Sequence, residues 1–198
     1  ALRQQPEQLR NVLFWGMNSI LPGLNGLQLN QMNLTGVNGE FACFVGAQLR
    51  GVNLTRSQLR GANLDKAQLQ DAILIEAQLQ GASLGRARLQ NADLTEANLQ
   101  GAELEACELL NADLTEANLQ GAFLQYAALD KANLIKANLN KAQLQSAVLN
   151  KSQLGGAKFN FAQLQGCRLI NAKFDETTRF TDAETDKTTL VAVSLQMG

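Results

Sequence analysis

The chain has 198 residues, with 17 Lys and Arg against 18 Asp and Glu, no His, three Cys and two Pro. A net charge of −1 gives no bulk attraction to nucleic acid or to an anionic membrane, and the absence of His excludes imidazole catalysis, Ser-His-Asp chemistry and His-ligated metal centres. The length suits one domain with a sizeable core, but with eight Phe, one Trp and one Tyr that core must be built from smaller side chains.

The chain opens on polar residues, Ala1 to Gln8, and no apolar run reaches the roughly 18–20 residues of a membrane span. The expectation is a soluble, cytoplasmic protein. From Gln8 to Leu21 the apolar residues Leu9, Val12, Leu13, Met17, Ile20 and Leu21 recur at helical spacing, which predicts a helix over residues 6–20. A five-residue rhythm then begins weakly at Leu24, Leu29 and Leu34. It falters at Gly39, which stands where Leu is expected, with Phe41 two residues later; a bulge or irregular coil near Asn38-Gly39 is the predicted consequence.

From Phe44 to Phe174 every fifth residue is Leu or Phe, 27 sites without exception. Two residues before each stands a small residue: 22 Ala, with Val52, Ser57, Cys107, Ser152 and Cys167 in the other places. Five residues advance an α-helix by about 500°, which would scatter the Leu over every face. On a continuous strand an odd period alternates faces, so half of them would meet solvent. Each Leu and its Ala do obey the strand period, and both point inward if the chain turns between units. Every unit is therefore one short extended segment and one corner of a coil.

The corners alternate in composition. Gly51, Gly61, Asp71, Gly81, Asn91, Gly101, Asn111 and Gly121 tolerate a positive φ, whereas Arg56, Lys66, Glu76, Arg86, Glu96, Ala106 and Glu116 lie between them. The expectation is two alternating corner types, hence an even number of sides and a coil of 20 rather than 15 residues. Beyond Gly121 the slot holds Lys131, Lys141 and Lys151, where a change of turn type is expected.

The units Ala92-Asp93-Leu94-Thr95-Glu96, Ala97-Asn98-Leu99-Gln100-Gly101 and Ala132-Asn133-Leu134-Ile135-Lys136 resemble the A-(D/N)-L-X-X motif of the pentapeptide-repeat family, and the resemblance runs over about residues 42–176. It implies an all-β solenoid, a right-handed quadrilateral parallel β-helix with four pentapeptides per coil, in a protein of bacterial type. Leu64, Leu84, Leu104, Leu124 and Leu144 would then stack in the core, with Ala92, Ala112 and Ala132 in the narrow space beside the Leu columns. An open solenoid end needs a cap. Residues 1–23 are accordingly expected to form an N-terminal helical cap, 24–176 the β-helix, regular from 42, and 177–198 a C-terminal cap or tail with Phe180 and Leu190-Val191-Ala192-Val193. A partner-binding or membrane-binding amphipathic helix is the alternative reading of residues 6–20.

No catalytic, metal or cofactor site is expected. Cys107 and Cys167 occupy the inward small slot 60 residues apart. That is three coils, or about 14 Å at the strand spacing, beyond the roughly 7 Å a disulfide spans. Cys43 lies on another side, and no C-x-x-C spacing occurs. The acidic residues fall on outward slots of a convex surface rather than in a dry cleft.

Charge is distributed in blocks. Residues 1–88 carry +3, residues 89–130 carry −8 with no cation, residues 131–174 carry +7 with no acid, and the remainder carries −3. Residues 20 apart become neighbours on a four-sided coil, so Glu76, Glu96 and Glu116 form a corner column continuing into Lys136, and Asp93 pairs with Asp113 on a side. Those five acids are the candidate interaction surface. Lys136, Lys141 and Lys151 could hold an anionic partner, although Tyr126 is the one aromatic nearby that could stack on a base.

The first functional expectation is a non-enzymatic scaffold that binds an unidentified protein partner, with self-association through acidic and basic blocks also open. The second comes from the family: some members imitate B-DNA, bind DNA gyrase and protect it from quinolones, and the acidic waist would supply the phosphate-like charges. The adjoining +7 block, and the absence of loop insertions between residues 42 and 174, depart from that pattern.

Overall fold

The computed structural model of the chain describes residues 26–186 together with Thr189. The helix expected over 6–20 and the Leu190–Val193 run fall outside the described residues. Parallel bridges pair each outward residue with the one twenty positions on, from Gln28↔Gln48 to Gln153↔Lys173, at one bridge every five residues. Each twenty-residue coil thus contributes four bridges, stacked in four vertical ladders. Ladder A runs from Gln28 to Arg168, B from Asn33 to Lys173, C from Asn38 to Arg179 and D from Cys43 to Glu184. The chain is a β-helical solenoid, and at about 4.8 Å per stacked coil neighbouring side chains in a ladder are in contact range.

The five-residue motif follows from where its amide protons go. In a central unit the inward Leu104 N–H donates to the Phe123 carbonyl of the next coil at 2.7 Å, and the corner Ala106 N–H to Gln125 at 2.9 Å. The outward Phe123 N–H reaches back to Ala102 at 2.9 Å, and the Cys107 N–H closes the turn on Leu104 at 3.1 Å. That accounts for four of the five donors. The fifth, on the residue after Leu, is met by the side chain two residues earlier in units where that residue is Asn or Asp: Asp93 Oδ1 accepts from Thr95 N at 3.0 Å, Asn53 from Thr55 at 3.0 Å and Asn118 from Gln120 at 3.2 Å; in certain other units an Asn or Asp one coil below accepts it, as Asn30 does from Arg50 N at 2.8 Å. The D/N preference of the motif is this side-chain-to-backbone turn.

All 30 corners from Gly26 to Asn171 have φ between +54° and +70°. The expected alternation of corner types is therefore corrected. Glu76 (φ 55), Lys131 (φ 58), Lys141 (φ 61) and Lys151 (φ 60) adopt the same left-handed conformation as Gly81 (φ 62) and Gly101 (φ 64), and the turn does not change at the lysines. A left-handed non-Gly residue costs about 1–2 kcal/mol. It is held because its N–H lies in the ladder, as in Lys131 to Asn150 at 2.8 Å, and because the turn bond closes around it. The twenty-residue period is present in the bridge register, and alternating turns do not set it.

The core is the stack of inward side chains. Leu64, Leu84, Leu104, Leu124 and Leu144 are at most 1% exposed, as are Ala92, Ala112 and Ala132. The Cys107 thiol donates to the Ala87 carbonyl at 3.3 Å, and burial holds it well above the usual thiol range. Burial likewise pushes the Cys167 thiol up to about 12, so neither is a reactive thiolate at neutral pH. No disulfide joins the described cysteines.

Two irregularities differ from expectation. There is no bulge at Gly39: Asn38↔Gln58 keeps the twenty-residue register, and Gly39 N donates to Gln58 O at 2.7 Å. The Leu missing from that slot is replaced by neighbours, since a Cβ on Gly39 would stand 3.0 Å from Leu59 and 3.6 Å from the Phe44 ring. Phe41 is an ordinary corner residue whose exposed ring crosses the Gly61 corner of the next coil.

The second irregularity is near the C-terminus. Ladders C and D continue through Lys158↔Arg179 and Gln163↔Glu184, a register of 21, so the coil runs past the boundary drawn at 176. The extra residue is accommodated by Asp175-Glu176-Thr177-Thr178. Asp175 Oδ1 accepts from the Thr177 N–H at 2.9 Å and hydroxyl at 2.6 Å, from Thr178 N at 3.1 Å and from Gly156 N of the coil below at 3.0 Å. The Thr177 hydroxyl and the Gly156 amide are the main causes that lower its carboxyl to about 2. Thr178 takes the inward small slot and donates to Leu154 O at 3.0 Å. The same D-x-T-T pattern returns at Asp186, whose carboxylate accepts from Gly166 N and Thr189 N at 2.6 and 2.8 Å, while Thr189 reaches Leu164 O at 3.1 Å.

Candidate interaction surfaces

The five acidic candidates occupy two vertical rows. Glu76, Glu96 and Glu116 are consecutive corners between ladders B and C, and Asp93 and Asp113 are bridge partners in ladder B. Four of the five are already engaged. Arg56 closes the lower end of the corner column with paired bonds to Glu76 at 2.9 and 3.0 Å, which draw the Glu76 carboxyl below its ordinary range. Lys136 closes the upper end on Glu116 at 3.0 Å.

The Glu116–Lys136 pair follows from twenty-residue spacing, and so does Arg56–Glu76, which sequence reasoning missed by counting upward from Glu76 only. Both pairs are well exposed, where such contacts are worth about 0–1 kcal/mol. Asp93 and Asp113 accept from the Thr95 and Thr115 hydroxyls at 2.6 Å, and Asp113 also from Asn133 at 3.3 Å. Glu96 makes no side-chain hydrogen bond or close ion pair among the described residues and interacts with Arg56 only through longer-range charge attraction.

Two of the candidate lysines, Lys141 and Lys151, stand at different corners from Lys136, one each beside ladders C and A. The three therefore do not converge on one anion. Tyr126 is 64% exposed at the corner between ladders D and A. Ladder C carries neutral amides, Asn118 donating to Asn98 at 3.3 Å and Asn138 to Asn118 at 3.1 Å.

A recess that sequence reasoning did not single out lies on ladder D. It has a volume of about 310 Å³ and is lined by Asp65, Ser83, Gly85, Glu103, Glu105, Phe123 and Gln125. Its signal was available by arithmetic: Asp65, Gly85 and Glu105 are 20 apart, so a glycine separates two stacked acids. Among the described residues no group of His, Cys, Asp and Glu is arranged to hold a metal ion, and no helix is long and apolar enough to cross a membrane.

The model of the family "Pentapeptide repeats" matches in eight copies, over residues 24–56, 42–77, 72–109, 112–150 and 137–176. The chain belongs to the pentapeptide-repeat family. Among solved structures, it is similar to QnrB1, described as a plasmid-mediated fluoroquinolone resistance protein, with 14% identity over 88% of this chain and 96% of the full-length QnrB1 chain and a TM-score of 0.60. That likeness is one of fold. HetL from the cyanobacterium Nostoc sp. strain PCC 7120, described as involved in heterocyst differentiation regulation, is 29% identical over 81% of this chain and 86% of its own, with a TM-score of 0.39. A pentapeptide-repeat protein of the Arabidopsis thaliana thylakoid lumen is 24% identical over 68% of this chain and 66% of its own, with a TM-score of 0.33. No curated protein sequence matches.

Proposed function

We propose that the chain is a non-enzymatic interaction scaffold of the cytoplasm, in which the four ladders are the sides of a right-handed quadrilateral β-helix and residues 1–23 form its helical cap. The observation that carries this reading is the vertical alignment of outward side chains at one-coil spacing, as in the hydrogen-bonded series Asn98, Asn118 and Asn138. Such rows are held by the backbone ladder, so they meet a partner already ordered, which reduces the entropic cost of association. Solenoids serve as extended binding surfaces for the same reason.

The second reading, modulation of DNA gyrase by imitation of duplex DNA, is favoured by the QnrB1-like fold and by the −8 block. The corner column weighs against it, because Arg56 and Lys136 occupy two of its three carboxylates.

A gyrase supercoiling assay separates the two. Titration of the purified chain to tens of micromolar is expected to leave supercoiling unchanged, with and without a quinolone. Inhibition or quinolone protection that disappears in a Glu76→Lys, Glu96→Lys, Glu116→Lys variant of unchanged thermal midpoint would replace the scaffold reading with the gyrase one.

A further inference from the structure

Ladder A changes character along its length. From Gln28 to Gln68 its bridge positions are amides; above them come Arg88 and Glu108, then Ala128 and Val148, then Arg168. Among the described residues no other ladder has two consecutive apolar bridge positions. Larger apolar side chains adjoin this pair on the same face. Leu110, two residues after Glu108, is 39% exposed, and Ile170, two after Arg168, is 54% exposed. The Tyr126 ring projects from the corner two residues before Ala128. Four successive coils, about 19 Å of height, thus present an apolar patch with an anion at its lower end and a cation at its upper end.

The charges at the two ends are open to further contact. Glu108 accepts from Arg88 of the coil below at 3.3 Å and from Gln90, yet its side chain stays half exposed. A carboxylate has about four lone-pair sites, so a second cation adds to Arg88 without displacing it. Arg168 is exposed and makes no side-chain hydrogen bond or ion pair among the described residues. The change from the −8 block to the +7 block falls between Asp130 and Lys131, in the middle of the apolar patch, and each block spans about two coils.

We propose that this face of ladder A binds the same face of a second copy of the chain, turned end for end about a twofold axis between the Ala128 and Val148 coils. It goes beyond the scaffold reading, which concerns a different protein as partner, and does not depend on it. Such an isologous contact repeats every pairing twice. Ala128 of one copy meets Val148 of the other at the centre, and Glu108 meets Arg168 at both ends. The rotation also reverses each row. Leu110 falls opposite Gly166 and Ile170 opposite Ala106, so no bulky side chain is set against another. Tyr126 falls opposite Asn150, with Lys151 beside it for a cation–π contact. Other registers fit worse. An axis on Ala128 itself sets Arg88 against Arg168, and an axis one coil below the proposed one sets Arg88 against Val148 and Glu108 against Ala128. A face of this height sits at the small end of specific interfaces, so a dimer that exchanges at micromolar concentration is expected.

The test is sedimentation velocity of the full chain from one to a few hundred micromolar, where a dimer fraction that rises with concentration is expected. Arg168→Glu sets carboxylate against carboxylate at both ends, and Val148→Lys places a cation in the apolar centre. Each is expected to weaken association at least tenfold. Adding Glu108→Lys to Arg168→Glu makes the end charges opposite again and is expected to bring affinity back to within threefold of the wild type. Lys158→Glu makes a like change of charge in the same block but on ladder C, and is expected to leave affinity within twofold. Thermal midpoints report whether each variant is folded.

A wild-type chain that stays monomeric at the highest concentration would overturn the inference while leaving the scaffold reading to the gyrase assay. A dimer indifferent to Arg168→Glu and Val148→Lys would overturn it in favour of contact through another face or an end of the stack. Equal losses from Arg168→Glu and Lys158→Glu, with no recovery in the double variant, would replace it with diffuse attraction between the two charge blocks.

Discussion

Leu104→Ala is expected to lower the unfolding free energy by about 2–5 kcal/mol. Leu104 is 1% exposed, and Leu84 and Leu124, in the coils below and above, are fully buried in the same column. A cavity opened there has no easy way to collapse. The backbone on both sides is fixed by ladder bonds, Leu84 N to Glu103 O and Leu104 N to Phe123 O, each 2.7 Å. The inward slots on either side of it in the chain hold Ala102 and Cys107, both buried and smaller than Leu. In a solenoid each coil is stabilised by its two interfaces, so loss at a central coil weakens both halves of the stack. Guanidinium denaturation of the two chains checks this. An unchanged midpoint would contradict an inward Leu104.

Phe159→Ala is expected to cost about 3–5 kcal/mol, and its effect should concentrate at the C-terminal coils. Phe159 is fully buried and stacks on Phe180 at a ring separation of 4.9 Å and an interplanar angle of 5°. Phe180 in turn meets Phe174 edge-on at 5.5 Å. This aromatic column stands where the register passes from 20 to 21, so the rings fill a coil that a run of Leu would fit less well. Phe159→Leu retains most of the volume and loses the stacking, worth about 0.5–1.5 kcal/mol. Denaturation curves for both variants distinguish the two contributions. Equal midpoints for wild type and Phe159→Ala would mean that Phe180 does not stack over Phe159.

Much of this molecule is legible in its residues because the code is local and repeated. A Leu every fifth residue with Ala two before it requires an inward pair and a corner, and the buried Leu64 to Leu144 and Ala92 to Ala132 occupy those places. What is not legible depends on neighbours one coil away. Lys131 looks unsuited to a positive φ when taken alone, and the ladder bond to Asn150 that holds it there joins residues 19 apart. Gly39 looks like a break because local pattern carries no information about the Phe44 ring and Leu59 that fill its space. Phe180 breaks the five-residue count by one, and only the repeated D-x-T-T turns show where the extra residue goes.

The same distinction applies to the surfaces. Glu76, Glu96 and Glu116 stand out as a row, but their meaning depends on Arg56 and Lys136 at its two ends. The ladder D recess is invisible as a motif because it consists of an absence, Gly85 between Asp65 and Glu105. Vertical reading at intervals of twenty, in both directions from each charge, recovers both.

Every surface row described above depends on one claim, that the corners from Gly26 to Lys151, lysines included, share a single ladder-bonded left-handed turn. Native-state amide exchange measured by NMR tests it most directly. The amides of Lys131, Lys141 and Lys151 are expected to be protected to the same degree as those of Gly81, Gly101 and Gly121, because all six donate to the coil above. Exchange at unprotected rates for the three lysines, with the glycines protected, would contradict the uniform coil and the twenty-residue alignment above Gly121.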